Sequence, residues 1–233
     1  MGTGTVRRLS TCGVAPGTFL ALLEEPECRA LAQLGIRRAF PRGAALMFEH
    51  EPGERVMLLF VGRVKVTRAG EEGHDSLLNI CDPGDLLGEL AFIDGQPRIA
   101  TVTALEPVEA VVIPAQAFRA HLEGTPRVAV ALLEAVTRQF RQTTVRLTQL
   151  AASDTMGRVA ARIIELAERY GEPADCGMAI TSPLSQEELG ARTGASRAGV
   201  AHALKTLREL GWVQIDRRRI LVRDLQALRA RAA

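Results

Sequence analysis

The chain has 233 residues, 47% of them hydrophobic and 24% charged, with a formal net charge of +2. That length allows one large domain or two modest ones, and the balance is ordinary for a soluble globular protein. No apolar run approaches the roughly 18 residues a membrane helix needs, and the opening MGTGTVRRLSTCG lacks a signal peptide's apolar stretch, so a cytoplasmic protein without membrane contact is expected.

In chain order, Phe19 to Leu34 carries apolar residues at helical spacing, and Pro26 is expected to split it into two short helices. From Phe40 to about Ile113 the texture changes to short apolar runs, ALMF, VMLLFVG, RVKVTRA, SLLNI, ATVTAL and VEAVVI, punctuated by PRG, EPG, AGEEG, DPGD and DGQP. Many short strands between turn residues predict an antiparallel sandwich or barrel. AQAFRAHL then reads as a short helix. A long helix follows from Pro126, which suits a first turn, and runs without Gly or Pro to about Ala152. Within it Leu133, Val136, Phe140, Thr143, Leu147 and Leu150 step by threes and fours, the spacing of a seam along which one helix packs on another. Thr143 and Thr144 interrupt that seam, and a threonine there either bonds back to its own helix or serves another purpose.

Beyond Asp154, DTMGRVAARIIELAERYG is a helix ending at Gly171, and EPADCGMAITSP reads as a loop. SQEELGARTG opens with Ser185 and Glu188 at capping-box spacing. SRAGVAHALKTLRELG starts at Ser196, a good N-cap, and stops at Gly211. WVQI and RILV around DRRR form a hairpin with a basic tip. Two helices joined by a turn containing Gly194, then a hairpin, is the pattern of a winged helix-turn-helix. Its second helix buries Val200, Ala203, Leu204 and Leu207 and leaves Arg197, Ala198, Ala201, His202 and Lys205 outward. Arg197 in the first turn suits guanine recognition, Ser196 sits among N–H groups able to hold a phosphate, and Arg217 and Arg218 on the wing suit phosphates.

The charge distribution agrees. Residues 1–150 hold 16 Lys/Arg against 17 Asp/Glu, whereas Ile180 onward holds 10 against 5. A basic bias confined to the C-terminal part points to a polyanion. Cys12, Cys28, Cys81 and Cys176 form no C-x-x-C pair, and His50, His74, His121 and His202 show no ligand spacing. Zinc, iron–sulfur and metal-enzyme readings therefore have no support, and no catalytic constellation is present.

One segment resists an architectural reading. GELAFIDGQPRIATV places Glu89 and Arg98 inside apolar surroundings. They form either a salt bridge or two ends of a ligand site. This segment, with SDTMGRVAARIIEL and LSQEELGARTGASRAGVAHALKTLRELGWV, resembles the Crp/Fnr family of transcription regulators in motif and order.

The resemblance covers about Phe19 to Arg229. It implies an α+β fold: an N-terminal antiparallel β-roll of the cyclic-nucleotide-binding type, a long dimerisation helix and a C-terminal winged helix-turn-helix. The expected divisions are a flexible tail (1–18), the roll (19–124), the helix (125–152) and the DNA-binding domain (153–233). The resemblance implies no enzyme activity and no tightly bound cofactor. Cyclic AMP is the implied effector, held by Gly88, Glu89, Leu90, Arg98 and Ile99, with Glu89 accepting from the ribose 2′-hydroxyl and Arg98 on the phosphate. Thr143 and Thr144 match base-contacting positions across the dimer seam. Ser185, Gln186, Ser196, Arg197, Ala198, Gly199, His202, Lys205, Arg217 and Arg218 form the implied DNA surface. The partners are double-stranded DNA, a second copy through the long helix, and RNA polymerase.

Departures sharpen these expectations. Ile99 stands where responsive members have a small or hydroxyl residue. Ala198 replaces an acid, Gly199 weakens the helix by about 1 kcal/mol against Ala, and His202 replaces a second base-contacting Arg. A lost bidentate contact removes on the order of 1–3 kcal/mol of discrimination, so a divergent operator is expected. Two alternatives are the same regulator without a cyclic-nucleotide response, and a nucleotide-sensing module acting on a protein partner.

Overall fold

A computed structural model describes residues 14–70, 75–152, 154–181, 193, 197–216 and 219–232. These divide into two compact units, one within Met1–Arg68 and Asn79–Gln139, the other within Ala69–Leu78 and Phe140–Ala233.

The first unit opens with a 3-10 turn at Leu20–Leu22 and helix α1 (Glu25–Gln33). The break falls at Leu23–Glu24, and Pro26 lies in the first turn of α1, where its missing N–H costs nothing. Eight strands follow: β1 (Ile36–Phe40), β2 (Ala45–Met47), β3 (Arg55–Val61), β4 (Val64–Arg68), β5 (Ser76–Cys81), β6 (Leu86–Leu87), β7 (Thr101–Ala104) and β8 (Val108–Pro114). They form two four-stranded sheets, ordered β1-β8-β3-β6 and β2-β7-β4-β5. Among the described residues these strands pair antiparallel.

β3 and β8 lie at the centre of the first sheet. Their near-continuous apolar runs, VMLLF and AVVI, are those of strands covered on both faces. β1 escaped the sequence reading because it is an edge strand. Four of its five residues are exposed, so it shows no alternation. Among the described residues of the first unit, the core gathers into two apolar clusters. One gathers Phe19, Leu31, Leu58, Ile113 and Phe118, and the other gathers Met47, Met57, Leu59, Val64 and Val102. Burying each such side chain contributes about 1.5–3 kcal/mol.

Helix α2 (Glu89–Asp94) is inserted between β6 and β7, and α3 (Ala115–Gly124) follows β8. The two are joined by Phe92 against Phe118, edge to face with centroids 5.0 Å apart. Helix α4 runs from Pro126 to Ala152, as its lack of breakers predicts. Val128, Ala131 and Leu132 are buried in the core, and Ala135 and Val136 pack against it.

In the second unit α5 (Thr155–Tyr170) starts at Asp154, whose side chain accepts from the Gly157 N–H at 2.8 Å. The segment read as a loop is instead a hairpin of β9 (Gly171–Ala174) and β10 (Gly177–Thr181). β10 pairs with β12 (Arg219–Val222), which pairs with β11 (Val213–Asp216), giving a sheet ordered β11-β12-β10-β9. Gly and Pro in β9 hide its strand character; pairing supplies what propensity lacks. Helix α6 (Arg197–Glu209) precedes β11, and a further helix, α7 (Leu225–Ala232), closes the chain. α7 is absent from the sequence reading, although Asp224 accepts from the Ala227 N–H at 2.8 Å as a cap. No described helix is long and apolar enough to cross a membrane.

Candidate functional site

The Gly88–Ile99 segment folds back on itself. Gly88 has left-handed backbone (φ 81°) and begins α2. Glycine suits this backbone, and a Cβ there would lie 2.2 Å from Arg98 Nη1, so any other residue would push the guanidinium aside. This close approach brings the guanidinium against the start of the helix.

Arg98 is 4% exposed. Its Nη2 donates to the Arg55 carbonyl at 2.5 Å and its Nη1 to the Gly88 carbonyl at 3.4 Å. Its Nε is buried with no hydrogen-bond partner. Burial, and next the Arg55 guanidinium, pull its pKa below the ordinary arginine value, while Glu51 and Glu89 act the other way. Among the described residues it forms no ion pair within 4 Å. The salt-bridge reading of Glu89 and Arg98 therefore fails, and Arg98 is a buried cation whose Nε–H has no partner. Such a group is costly unless an anion completes it.

Glu89 leads α2 and keeps part of its surface open, but its carboxyl is enclosed by protein. That burial pushes its pKa from 4.5 up to about 7; Asp85 adds to the rise, and backbone hydrogen bonds and Arg98 oppose it. Enclosure thus disfavours its charged form relative to a carboxyl in water. Leu90 is half-buried beside it. Ile99 is 54% exposed. It offers no hydroxyl to an anion at Arg98.

Arg119 steadies the helix from behind, its guanidinium carbon 4.9 Å from the Phe92 ring centroid and its Nη2 donating to the Phe92 carbonyl at 3.3 Å. Two contributors escaped the sequence reading. The Arg55 carbonyl is a main-chain acceptor that no side-chain pattern reveals. Glu51 accepts from Arg55 at 3.0 Å and, by its carbonyl, from the Arg98 N–H at 2.8 Å.

Along α4, Leu133 is 66% and Phe140 71% exposed, and Val130, Val145 and Leu147 are exposed with them. Val136, expected in the same seam, instead packs toward the core. The outward stripe runs Val130, Leu133, Thr137, Phe140, Thr144 and Leu147, in steps of three and four. The Leu150 side chain lies outside the described residues. Thr143 and Thr144 are exposed in the second unit, and the Thr144 hydroxyl donates to its own helix at the Phe140 carbonyl, 3.0 Å away.

In α6, Val200, Ala203, Leu204 and Leu207 are buried, as the 3.6-residue period predicts. Ala198, Ala201, His202 and Lys205 are exposed and Gly199 is half-buried. Lys205 Nζ lies 3.7 Å from Glu209. The helix ends at Gly211 (φ 76°), and the Trp212 N–H reaches back to the Leu207 carbonyl at 3.1 Å. The Arg158 Nε of α5 donates to the Thr193 carbonyl at 2.9 Å. Ser185, Gln186, Ser196, Arg217 and Arg218, and the side chain of Arg197, lie outside the described residues.

Comparison with known proteins agrees with this arrangement. Residues 37–124 match the cyclic nucleotide-binding domain, and residues 157–231 match the Crp-like helix-turn-helix domain. Together these define a transcription regulator with a cyclic nucleotide-binding-type domain ahead of a DNA-binding domain. The chain is 35% identical over 193 residues to the CRP-like cAMP-activated global transcriptional regulator of Mycobacterium tuberculosis, covering 83% of this chain and 86% of the relative. It is 29% identical over 191 residues to the global nitrogen regulator of Synechococcus elongatus, covering 81% and 86%. The chain belongs to the Crp/Fnr family of transcription regulators. The fold is shared with FixK2 from Bradyrhizobium japonicum (TM-score 0.75, 20% identity, 85% of this chain and 98% of the other). It is shared equally with the c-di-GMP responsive regulator CLP of Xanthomonas campestris (TM-score 0.76, 18% identity, 86% and 100%).

Proposed function

We propose that the protein is a homodimeric, cytoplasmic regulator whose DNA affinity is set by cyclic AMP or a related cyclic nucleotide bound at Arg98. The observation that carries this reading is the Arg98 guanidinium: buried, without a carboxylate partner, and with one N–H unsatisfied. A cyclic phosphate supplies both the charge and the acceptor that the protein withholds. Glu89, pushed up to about 7, is the acceptor for a ligand hydroxyl. The exposed stripe on α4 is the face for a second copy, and its threonines are the polar groups offered to the base. The exposed side of α6 enters the major groove, with the wing on phosphates. The mycobacterial relative's description as cAMP-activated supports the same effector.

Control of this kind requires the ligand to bind the DNA-competent state more tightly than the other. RNA polymerase is the further partner at a promoter. The second reading, a regulator of the same build without a cyclic-nucleotide response, is favoured by Ile99, an apolar side chain beside the anion site. Retention of labelled operator DNA, selected from random sequence, separates the two. Affinity that rises with cyclic AMP supports the first, and affinity indifferent to cyclic AMP and cyclic GMP supports the second.

A further inference from the structure

Opposite Arg98 the backbone adopts a conformation that its residue type resists. His50 has φ 68° and is the one non-glycine residue with left-handed backbone among the described residues. An L side chain disfavours this region because its Cβ crowds the neighbouring peptide. Such outliers persist only where the surroundings hold them, and they cluster at functional sites.

The surroundings here are specific. The His50 N–H donates to the Arg98 carbonyl at 2.8 Å, and the Arg98 N–H donates to the Glu51 carbonyl at 2.8 Å. Two consecutive residues thus face one. The Glu51 N–H closes a tight turn onto the Phe48 carbonyl at 3.3 Å, with His50 at its third position. This is a β-bulge whose first residue is left-handed, a device that bends a strand and re-aims the side chain opposite.

The chain beyond the bulge stays on the same task. Glu51 holds Arg55, and the Arg55 carbonyl holds Arg98 Nη2. Gly53 lies so close to α2 that a Cβ on it would stand 2.6 Å from the Ala91 carbonyl oxygen. Residues 50–55 therefore touch both parts of the anion site, the guanidinium and the helix that begins after Gly88. The His50 side chain is open to solvent, its Nε2 3.7 Å from Glu49. Its imidazole does not explain the position; its backbone does.

We propose that His50 is a positioning residue: its left-handed backbone keys the bulge that turns the Arg98 side chain into the anion site. This rests on the ligand reading above. Tolerance at position 50 should then follow the ease of left-handed backbone, with Gly and Asn best, Ala worse and a β-branched residue worst.

The test compares His50→Gly, His50→Asn and His50→Val in the full chain, each first checked by thermal melting. Two quantities are read: hydrogen exchange of the Arg98 amide and the calorimetric affinity for cyclic AMP. His50→Gly and His50→Asn should keep the amide protected and bind within about twofold of wild type. His50→Val should exchange that amide about tenfold faster and bind about tenfold more weakly, with exchange in α5 unchanged. If His50→Val does not fold, His50→Ala carries the same comparison with a smaller expected loss. Wild-type protection and affinity in the Val or Ala variant overturns the proposal. So does an equal loss in His50→Gly, which would place the role in the imidazole. If the wild type itself binds no cyclic AMP, the effector reading fails, and the Arg98 amide alone decides whether position 50 sets the bulge.

Discussion

Arg98 and Lys205 are both cations of proposed binding surfaces, one for the effector and one for DNA, and the two regions treat them in opposite ways. Arg98 is enclosed, held by the Arg55 and Gly88 carbonyls, with its Nε–H left without a partner. Lys205 stands in solvent on the outer face of α6, 3.7 Å from an equally exposed Glu209. Enclosure makes one cation expensive and specific, since a single anion of the right shape repays its desolvation. Exposure makes the other inexpensive and interchangeable, and salt screens what it contributes. The effector site should therefore respond steeply to single changes and weakly to ionic strength, and the DNA face the reverse.

The largest expected effect comes from removing the enclosed cation. Arg98→Ala should weaken cyclic AMP binding by about a hundredfold or more, on the order of 3 kcal/mol, and make operator retention indifferent to cyclic AMP. Circular dichroism and mass in solution should not change. Arg98→Lys should recover only part of the affinity, because an ammonium cannot reach the Arg55 and Gly88 carbonyls while presenting a fork to the ligand.

A charge in the α4 stripe comes next. Leu133→Glu with Phe140→Glu should move the protein from dimer to monomer in sedimentation at micromolar concentration, a loss of about 2 kcal/mol or more. Val136→Ala should instead lower the melting temperature, because that side chain faces the core of its own unit.

Glu89→Gln tests the poised carboxyl. Its folded pKa, pushed up from 4.5 to about 7, means that the unfolded chain releases the proton first as pH rises. Wild-type stability relative to Glu89→Gln should therefore be greatest below about pH 4.5, fall between 4.5 and 7, and stay lower above, by on the order of 3 kcal/mol. Urea unfolding of both proteins across that range measures the difference. Cyclic AMP affinity of the wild type should weaken as pH falls below about 7, where the stronger, charged acceptor becomes a neutral carboxyl.

Smaller effects should follow from Ile99→Ser and Lys205→Gln. The first replaces an apolar neighbour of the anion site by a hydroxyl and should tighten cyclic AMP binding by about 1 kcal/mol. The second should lower the slope of log affinity against log salt by about 1, with little change in operator preference.

What the sequence makes legible follows the same contrast. Side-chain periodicity reports faces, so the buried side of α6 and the reach of α4 from Pro126 are read correctly from residue types. It does not report which of two apolar faces a helix keeps for itself. The heptad count puts Val136 in one stripe with Leu133 and Phe140, yet Val136 packs against the core while Val130 is exposed, and only packing separates the two faces. β1 and β9 are hidden because an edge strand or a Gly-Pro strand is stabilised by its partner and not by its own pattern. At the effector site, Gly88, Glu89 and Arg98 stand out as polar residues in apolar surroundings. His50, Glu51 and Arg55 do not, because their contribution is made by main-chain atoms and by a φ of 68° that no residue type announces.

The most direct test is isothermal titration calorimetry of cyclic AMP into the purified wild type, with Arg98→Ala as its control. The expected result is a saturable heat with the wild type and none with the variant at the same concentrations. Equal binding by both proteins would remove Arg98 from the site, and no binding by the wild type would leave a Crp/Fnr regulator answering to some other signal.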